Sequence, residues 1–363
     1  MKKKLSLPLL LSVLVMILVN VTNTPVKAGD APRKSLTIAN SIYTGWAPHY
    51  WLRDSGVYQK WGDKYNTNVS LQHFSYDAAL AAFAAGKVDA VTATNMDCLA
   101  AFCSAGVDCT VLVIGDYSNG NDGILTRLNV EDVKGLRGQT FHLLQLSVSH
   151  YLLARALDMN SMKEKDIKLM DADPDKLQAA FLADEGQKVV VTWNPMVMNL
   201  AASRGIKKVF DSSKIPGEIL DLLVIRTDTL KKNPEFGELL VGAWYEAMTL
   251  FTSRGPEQKD MVEKMAASQE SKVSEFNAMV TTTAFYYTPS SAMEAARSAE
   301  FKERTDFVRK FAFDKGLYGN DADNVDYIGI EYPDGSVVGN KDRIKLRFNM
   351  AYTQMAVEGK LKR

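Results

Sequence analysis

An α/β fold with mainly parallel sheets, divided into two domains, is what this sequence predicts, and three observations carry the prediction. Apolar runs of strand length alternate with amphipathic stretches of helix length from Leu36 onward. About 335 residues remain once an N-terminal leader is set aside, enough for two cores. A stretch dense in turn chemistry, residues 116–123, interrupts the alternation as a chain does when it leaves one sheet for another.

The first element is the leader. Lys2, Lys3 and Lys4 precede an apolar run over residues 5–19, and a polar stretch ends at Val26-Lys27-Ala28. This is the pattern of a cleavable signal peptide, residues 1–28, cut after Ala28 between small residues. The apolar run is broken by Pro8 and is short for a membrane span, and no cysteine follows it to take a lipid. The expectation is a chain exported to the periplasm and free of the membrane.

Strands are expected over residues 35–40, 68–74, 90–94, 110–115, 139–143, 168–171, 188–192 and 222–226. Helices are expected between them, over 48–65, 76–86, 97–105, 147–157, 174–183 and 195–204. The chain leaves its first sheet near 116–123 and returns near 210–219. Domain I is therefore residues 29–120 and 211–363, with a helical C-terminal region, and domain II is the insertion 121–210. Two crossings make a two-segment hinge beside an interdomain cleft. The aromatic segments Phe285-Tyr286-Tyr287 and 327–332 are expected to cover core.

Composition excludes several classes. Without residues 1–28 the chain has 39 basic and 43 acidic residues, a net charge of −4, and nothing that points to nucleic acid or anionic lipid. Cys98, Cys103 and Cys109 are too few for a disulfide scaffold; an odd count at helix-like spacing reads chiefly as small buried residues, with one oxidised pair as the alternative. His49, His73, His142 and His150 form no zinc-ligand set, and no metal or cofactor is expected.

In open parallel sheets ligands sit at the carboxyl ends of strands. The first such junction holds Tyr43 and Trp46 around Gly45, an aromatic platform for a planar or cationic ligand, or simply packing. The third gives Asn95 and Asp97, which read either as ligand contacts or as the polar start of a helix. The fourth supplies Asp116, Ser118, Asn119, Asn121 and Asp122 within seven residues, more polarity than a turn requires. In domain II, Ser147 and His150 open a helix that would either hold an anion or be capped by Ser147 itself. Trp193 and Asn194 follow the next strand, placed to face Trp46 across the hinge.

These loops contain carboxylates, amides and indoles but neither Lys nor Arg. A sulfonate, nitrate or phosphate site normally recruits a guanidinium or ammonium group, whereas this set suits a cation or a neutral N–H donor.

Taken together, Thr94-Asn95-Met96-Asp97, the run from Gly115 to Gly123, Leu146-Ser147-Val148-Ser149-His150-Tyr151-Leu152-Leu153 and Thr192-Trp193-Asn194-Pro195 resemble the substrate-binding proteins of ABC transporters encoded beside urea carboxylase genes. That group lies within the broader family of nitrate, sulfonate, taurine and thiamine-precursor binders. The resemblance implies a type II-like periplasmic binding protein fold, a monomer that delivers guanidinium, or else urea, to a membrane permease and ATPase. Gln145 stands where that group would carry an acid. A sulfonate, nitrate or taurine binder is the alternative within the family; outside it stand a sensor or a secreted enzyme of the thiamine-precursor type. No nucleophile elbow, phosphate loop or His-Glu-x-x-His motif supports catalysis, and adjacent Ser149 and His150 point apart on one helix.

Overall fold

The computed structural model describes residues 32–361. The expected signal segment, residues 1–28, and its cleavage point lie outside the described residues. In chain order the strands are β1 (Lys34–Asn40), β2 (Thr67–His73), β3 (Ala90–Thr94), β4 (Cys109–Ser118), β5 (Asp122–Thr126), β6 (Thr140–Leu143), β7 (Lys168–Asp171), β8 (Val189–Trp193), β9 (Lys207–Asp211), β10 (Leu220–Arg226), β11 (Thr283–Phe285), β12 (Gly329–Glu331), β13 (Val337–Val338) and β14 (Ile344–Phe348). They form two sheets, ordered β13-β12-β14-β4-β10-β3-β1-β2, with β11 on β4, and β7-β6-β8-β5-β9.

The sheets are mixed, which corrects the expectation of mainly parallel ones. Strand β10 runs antiparallel between β3 and β4, and β5 runs antiparallel between β8 and β9. These are the strands that carry the chain from one sheet to the other and back, so each arrives from the opposite direction to its neighbours. The central strands β3, β4 and β10 are buried along almost their whole length, as expected of strands covered on both faces.

Local sequence explains the helices. The stretch expected as one helix over 48–65 is two, Ala47–Asp54 and Val57–Lys64, because Gly56 takes a φ of 77° that ends the first. Helix Val148–Met159 starts at Ser147, whose Oγ accepts from the Ser149 N–H. Helix Glu235–Phe251 crosses the core of the large sheet and buries Trp244. There a Cβ on Gly242 would collide with Trp61, so glycine admits the indole against the helix backbone. A second apolar cluster, Leu125, Leu177, Phe181, Val190, Val197, Leu200 and Ile206, lies under the small sheet. Each such side chain contributes on the order of 1.5–3 kcal/mol by leaving water.

The C-terminal strands β12 and β14 extend the large sheet beside β4, and β11 pairs with the end of β4. Ile328, Ile330 and Tyr332 are buried there, and Phe251, Phe285 and Tyr287 pack ring on ring. These aromatic segments cover core. Cys98, Cys103 and Cys109 are all free and buried, with the Sγ atoms of Cys103 and Cys109 3.8 Å apart.

Candidate functional site

A cavity of about 1040 Å³ opens where the carboxyl ends of β1, β2 and β3 face those of β6, β7 and β8. The expected residues Tyr43, Trp46, Asp97, Asp122, Ser147 and Trp193 all line it. Trp46 is packed between Tyr43 and Tyr76, with ring centroids 5.0 and 5.3 Å away, and its indole Nε1 has no hydrogen-bond partner. An unpartnered buried donor is costly, and this one borders the cleft. Trp193 ends β8, where it is the register partner of Asp122 on β5.

Asp97 follows β3. Its Oδ2 accepts from the Tyr76 hydroxyl and from Thr94 Oγ1, both at 2.6 Å, while its N–H donates to Thr94 Oγ1 at 3.2 Å. Asp97 belongs to a helical turn and lines the cleft. Burial raises its carboxyl above the ordinary value.

Asp221, near the start of β10, is the site residue that sequence reasoning missed. It lines the cleft, is 3 % exposed, and is flanked in the sheet by Asp116 on β4 and Thr94 on β3. Cross-strand partners present their side chains on one face, so the Asp116 and Asp221 carboxyls meet. With both ionised, neither oxygen of Asp116 and not Oδ2 of Asp221 would have a partner. With one proton between them they bond each other, and the Tyr43 hydroxyl also bonds Asp221. Burial pushes Asp116 up to about 7 and Asp122 up to about 6, and it raises Asp221 well above the usual carboxylate range, reinforced by the charges of Asp116 and Asp122.

Six expected contacts, Asp116, Asn95, Ser118, Asn119, Asn194 and His150, do not line the cavity. Asp116 is fully buried and does not line the cavity, because Gly45 lies over it: a Cβ there would come within 2.9 Å of Asp116 Cγ and closer still to its Oδ2. Asn95 is spent on backbone, donating to the Glu218 carbonyl at 2.9 Å and accepting from the Leu220 N–H at 3.1 Å. Ser118 donates to Asp122 at 2.5 Å and bonds Ser212 at 2.6 Å, which ties the outgoing crossing to the returning one. Asn119 uses its N–H on the Thr282 carbonyl. Asn194 donates to Asn121 Oδ1 at 2.7 Å, and Asn121 in turn donates to Tyr43 and Thr283. His150 accepts from the Leu146 N–H and bonds Glu164, at 3.1 and 2.9 Å. These residues shape the site through their neighbours.

The cavity's charge is one-sided. Asp77, Asp97, Asp122, Asp173, Asp175, Asp221, Glu270 and Glu275 line it, and among the described residues no Lys or Arg does. At the rim, Asp173 pairs with Lys176 at 2.7 Å and Glu275 with Lys272 at 3.7 Å. On the floor, Asp97 and Asp122 are held by hydroxyl groups, and Asp221 meets the Asp116 carboxyl and the Tyr43 hydroxyl. Gln269, Glu270, Ser271 and Glu275 reach the cleft from the helical C-terminal region. The helix opened by Ser147 offers little to an anion: Ser147 Oγ already holds the Ser149 N–H, and the Leu146 N–H is taken by His150. No grouping of His, Cys, Asp and Glu suited to a metal ion occurs among the described residues.

No protein-family model matches the sequence, and no curated protein matches it. Solved structures do. The periplasmic aliphatic sulphonate binding protein SsuA of Escherichia coli superposes with a TM-score of 0.65 at 17 % identity, covering 78 % of this chain and 88 % of that one. The alkanesulfonate-binding protein SsuA of Xanthomonas axonopodis pv. citri, bound to MOPS, gives 0.65 at 15 % identity, over 80 % and 96 %. A Candida albicans protein described as having the generic periplasmic binding protein structural fold gives 0.56 at 12 % identity, over 75 % and 95 %. At these identities the likeness speaks for architecture, and the chain has the periplasmic binding protein fold.

Proposed function

We propose that this protein is the extracytoplasmic solute-binding component of an ABC importer, working in the periplasm with a permease and ATPase, and that its ligand is a small nitrogen-rich cation, guanidinium before urea. The observation that carries this reading is the cleft itself, lined by eight carboxylates with no Lys or Arg among the described residues. A guanidinium ion offers N–H donors all around its plane and two apolar faces. Asp97, Asp122 and Asp221 supply acceptors on the floor, and the rings of Trp46, Tyr43, Tyr76 and Trp193 supply faces.

The sulfonate ligands named for the neighbouring structures do not suit this wall, since a sulfonate would meet carboxylates and find the Ser147 helix start already capped. Binding without turnover fits the same geometry: Ser149 is buried, and both ring nitrogens of the adjacent His150 are engaged elsewhere.

In the mechanism we propose, the two sheets belong to two domains hinged at residues 118–122 and 211–220. The cation docks against Asp221, Asp97 and Trp46, and Ser147 and Trp193 close over it. Ligand favours the closed form because only there do both walls touch it. Isothermal titration against guanidinium, urea, taurine and nitrate decides the matter. Tight guanidinium binding with urea weaker is expected, and preference for taurine or nitrate would sink the reading.

A further inference from the structure

Beneath the cleft floor lies a group that ligand contact alone does not use. Asp116 is completely buried, has no donor from the rest of the protein, and faces Asp221, which does reach the cavity. Gly45 leaves room for this carboxyl where any side chain would fill it.

We propose that ligand capture here is an exchange of a proton for a cation: the Asp116–Asp221 pair holds one proton between its carboxyls without ligand and releases it to solvent when the cation settles on Asp221. This rests on the cation reading above and adds its proton balance. One carboxyl O–H bond breaks, the proton passes to the bulk buffer, and the incoming positive charge replaces it.

The geometry requires the shared proton. Two carboxylates in contact, out of water and without a compensating cation, do not both ionise. The titratable groups that face the pair are Tyr43 from the loop after β1, Asp122 from β5, and Tyr286 and Tyr287 after β11; Thr94 on β3 is uncharged. All four are acids, and Arg304 bears on Tyr286. A cation arriving at Asp221 is the compensation the pair lacks. Burial holds Asp116 up to about 7 and Asp221 well above the usual carboxylate range, so the pair still carries its proton at neutral pH. A neutral ligand such as urea brings no charge to replace the proton and leaves it in place.

The test is calorimetric titration of guanidinium into the protein in two buffers of different protonation enthalpy, which counts protons directly. Release approaching one proton per cation is expected at neutral pH, with the association constant rising up to about tenfold per pH unit while the pair holds its proton. Asp116→Asn, whose amide mimics the protonated partner, is expected to keep binding guanidinium but to release almost no proton.

Should Asp116→Asn fail to fold, the infrared carbonyl band of a protonated carboxyl in the wild type serves instead, present without guanidinium at neutral pH and lost with it. Guanidinium bound without proton release overturns the exchange and leaves the cation reading standing. Release that persists in Asp116→Asn overturns the assignment to the pair. Failure to bind guanidinium at all overturns both.

Discussion

Replacing Asp116 by Asn also tests the buried pair through stability. In the folded chain the Asp116 carboxyl stands at about 7 against an ordinary 3.8, so between those values the folded state keeps a proton that the unfolded state has lost. Stability therefore declines as pH rises through this window, the reverse of an ion-paired aspartate. About three pH units at about 1.36 kcal/mol each give Asp116 alone a share of roughly 4 kcal/mol by pH 8. One shared proton serves both carboxyls, so roughly 2–4 kcal/mol is expected. Asn is neutral at every pH and donates its amide to Asp221 as the shared proton does. The variant should melt with the wild type near pH 5 and about 4–8 °C above it near pH 8, at roughly 2 °C per kcal/mol for a chain of this length. Thermal melting followed by circular dichroism is the assay, because guanidinium and urea used as denaturants would also act as ligands. A wild-type melting temperature that stays level from about pH 5 to pH 8, or an Asn variant less stable near pH 8, would refute the reasoning.

Other substitutions probe other parts of the site. Gly45→Ala drives a methyl into the buried Asp116 carboxyl, and calorimetry should show a loss of about 1–3 kcal/mol. Asp221→Ala removes the floor acceptor, and guanidinium affinity measured by titration should fall roughly 10- to 100-fold, the worth of a charge-assisted hydrogen bond. Trp193→Ala strips one aromatic face from the cleft and should weaken guanidinium about 2- to 30-fold with little change in melting temperature. Arg155→Met leaves Glu218, which Arg155 binds through two hydrogen bonds of 2.8 and 3.0 Å, buried without its cation; a loss of about 3–5 kcal/mol should appear in thermal denaturation.

How far the sequence could be read depended on how local each signal was. Strands β3 and β7 have the bounds expected for them, and helix Pro174–Ala183 lies between its proline and its polar stop. Strands β5 and β9 escaped because Asn-Asp-Gly and Lys-Lys at their starts look like turn and surface chemistry. Their pairing partners are remote in sequence, and only the sheet reveals them. Strand direction escaped for the same reason, since no local pattern tells that β10 returns antiparallel. Asp221 sits in Leu-Asp-Leu-Leu-Val-Ile, an interior strand by every local measure. Its importance comes from register with Asp116 and Thr94. Asp116 was visible as unusual polarity, but whether it faced ligand or lay beneath Gly45 was a question of depth, which one-dimensional patterning does not encode.

The hydroxyl contact between Ser118 and Ser212, joined by the Gly120 N–H donating to Ser212 Oγ at 2.8 Å, has a mechanical meaning. Two separate tethers would let the bodies they join slide, twist and tilt. In the hinge we propose, crossings stitched side by side would act as a single ribbon, stiff along its length and across its width and compliant in one sense of bending. Any movement of one sheet toward the other is then confined to one arc. Solutes of different size would stop that movement at different points along the same path, and a protein bound to the outer surface would have a single angle to measure.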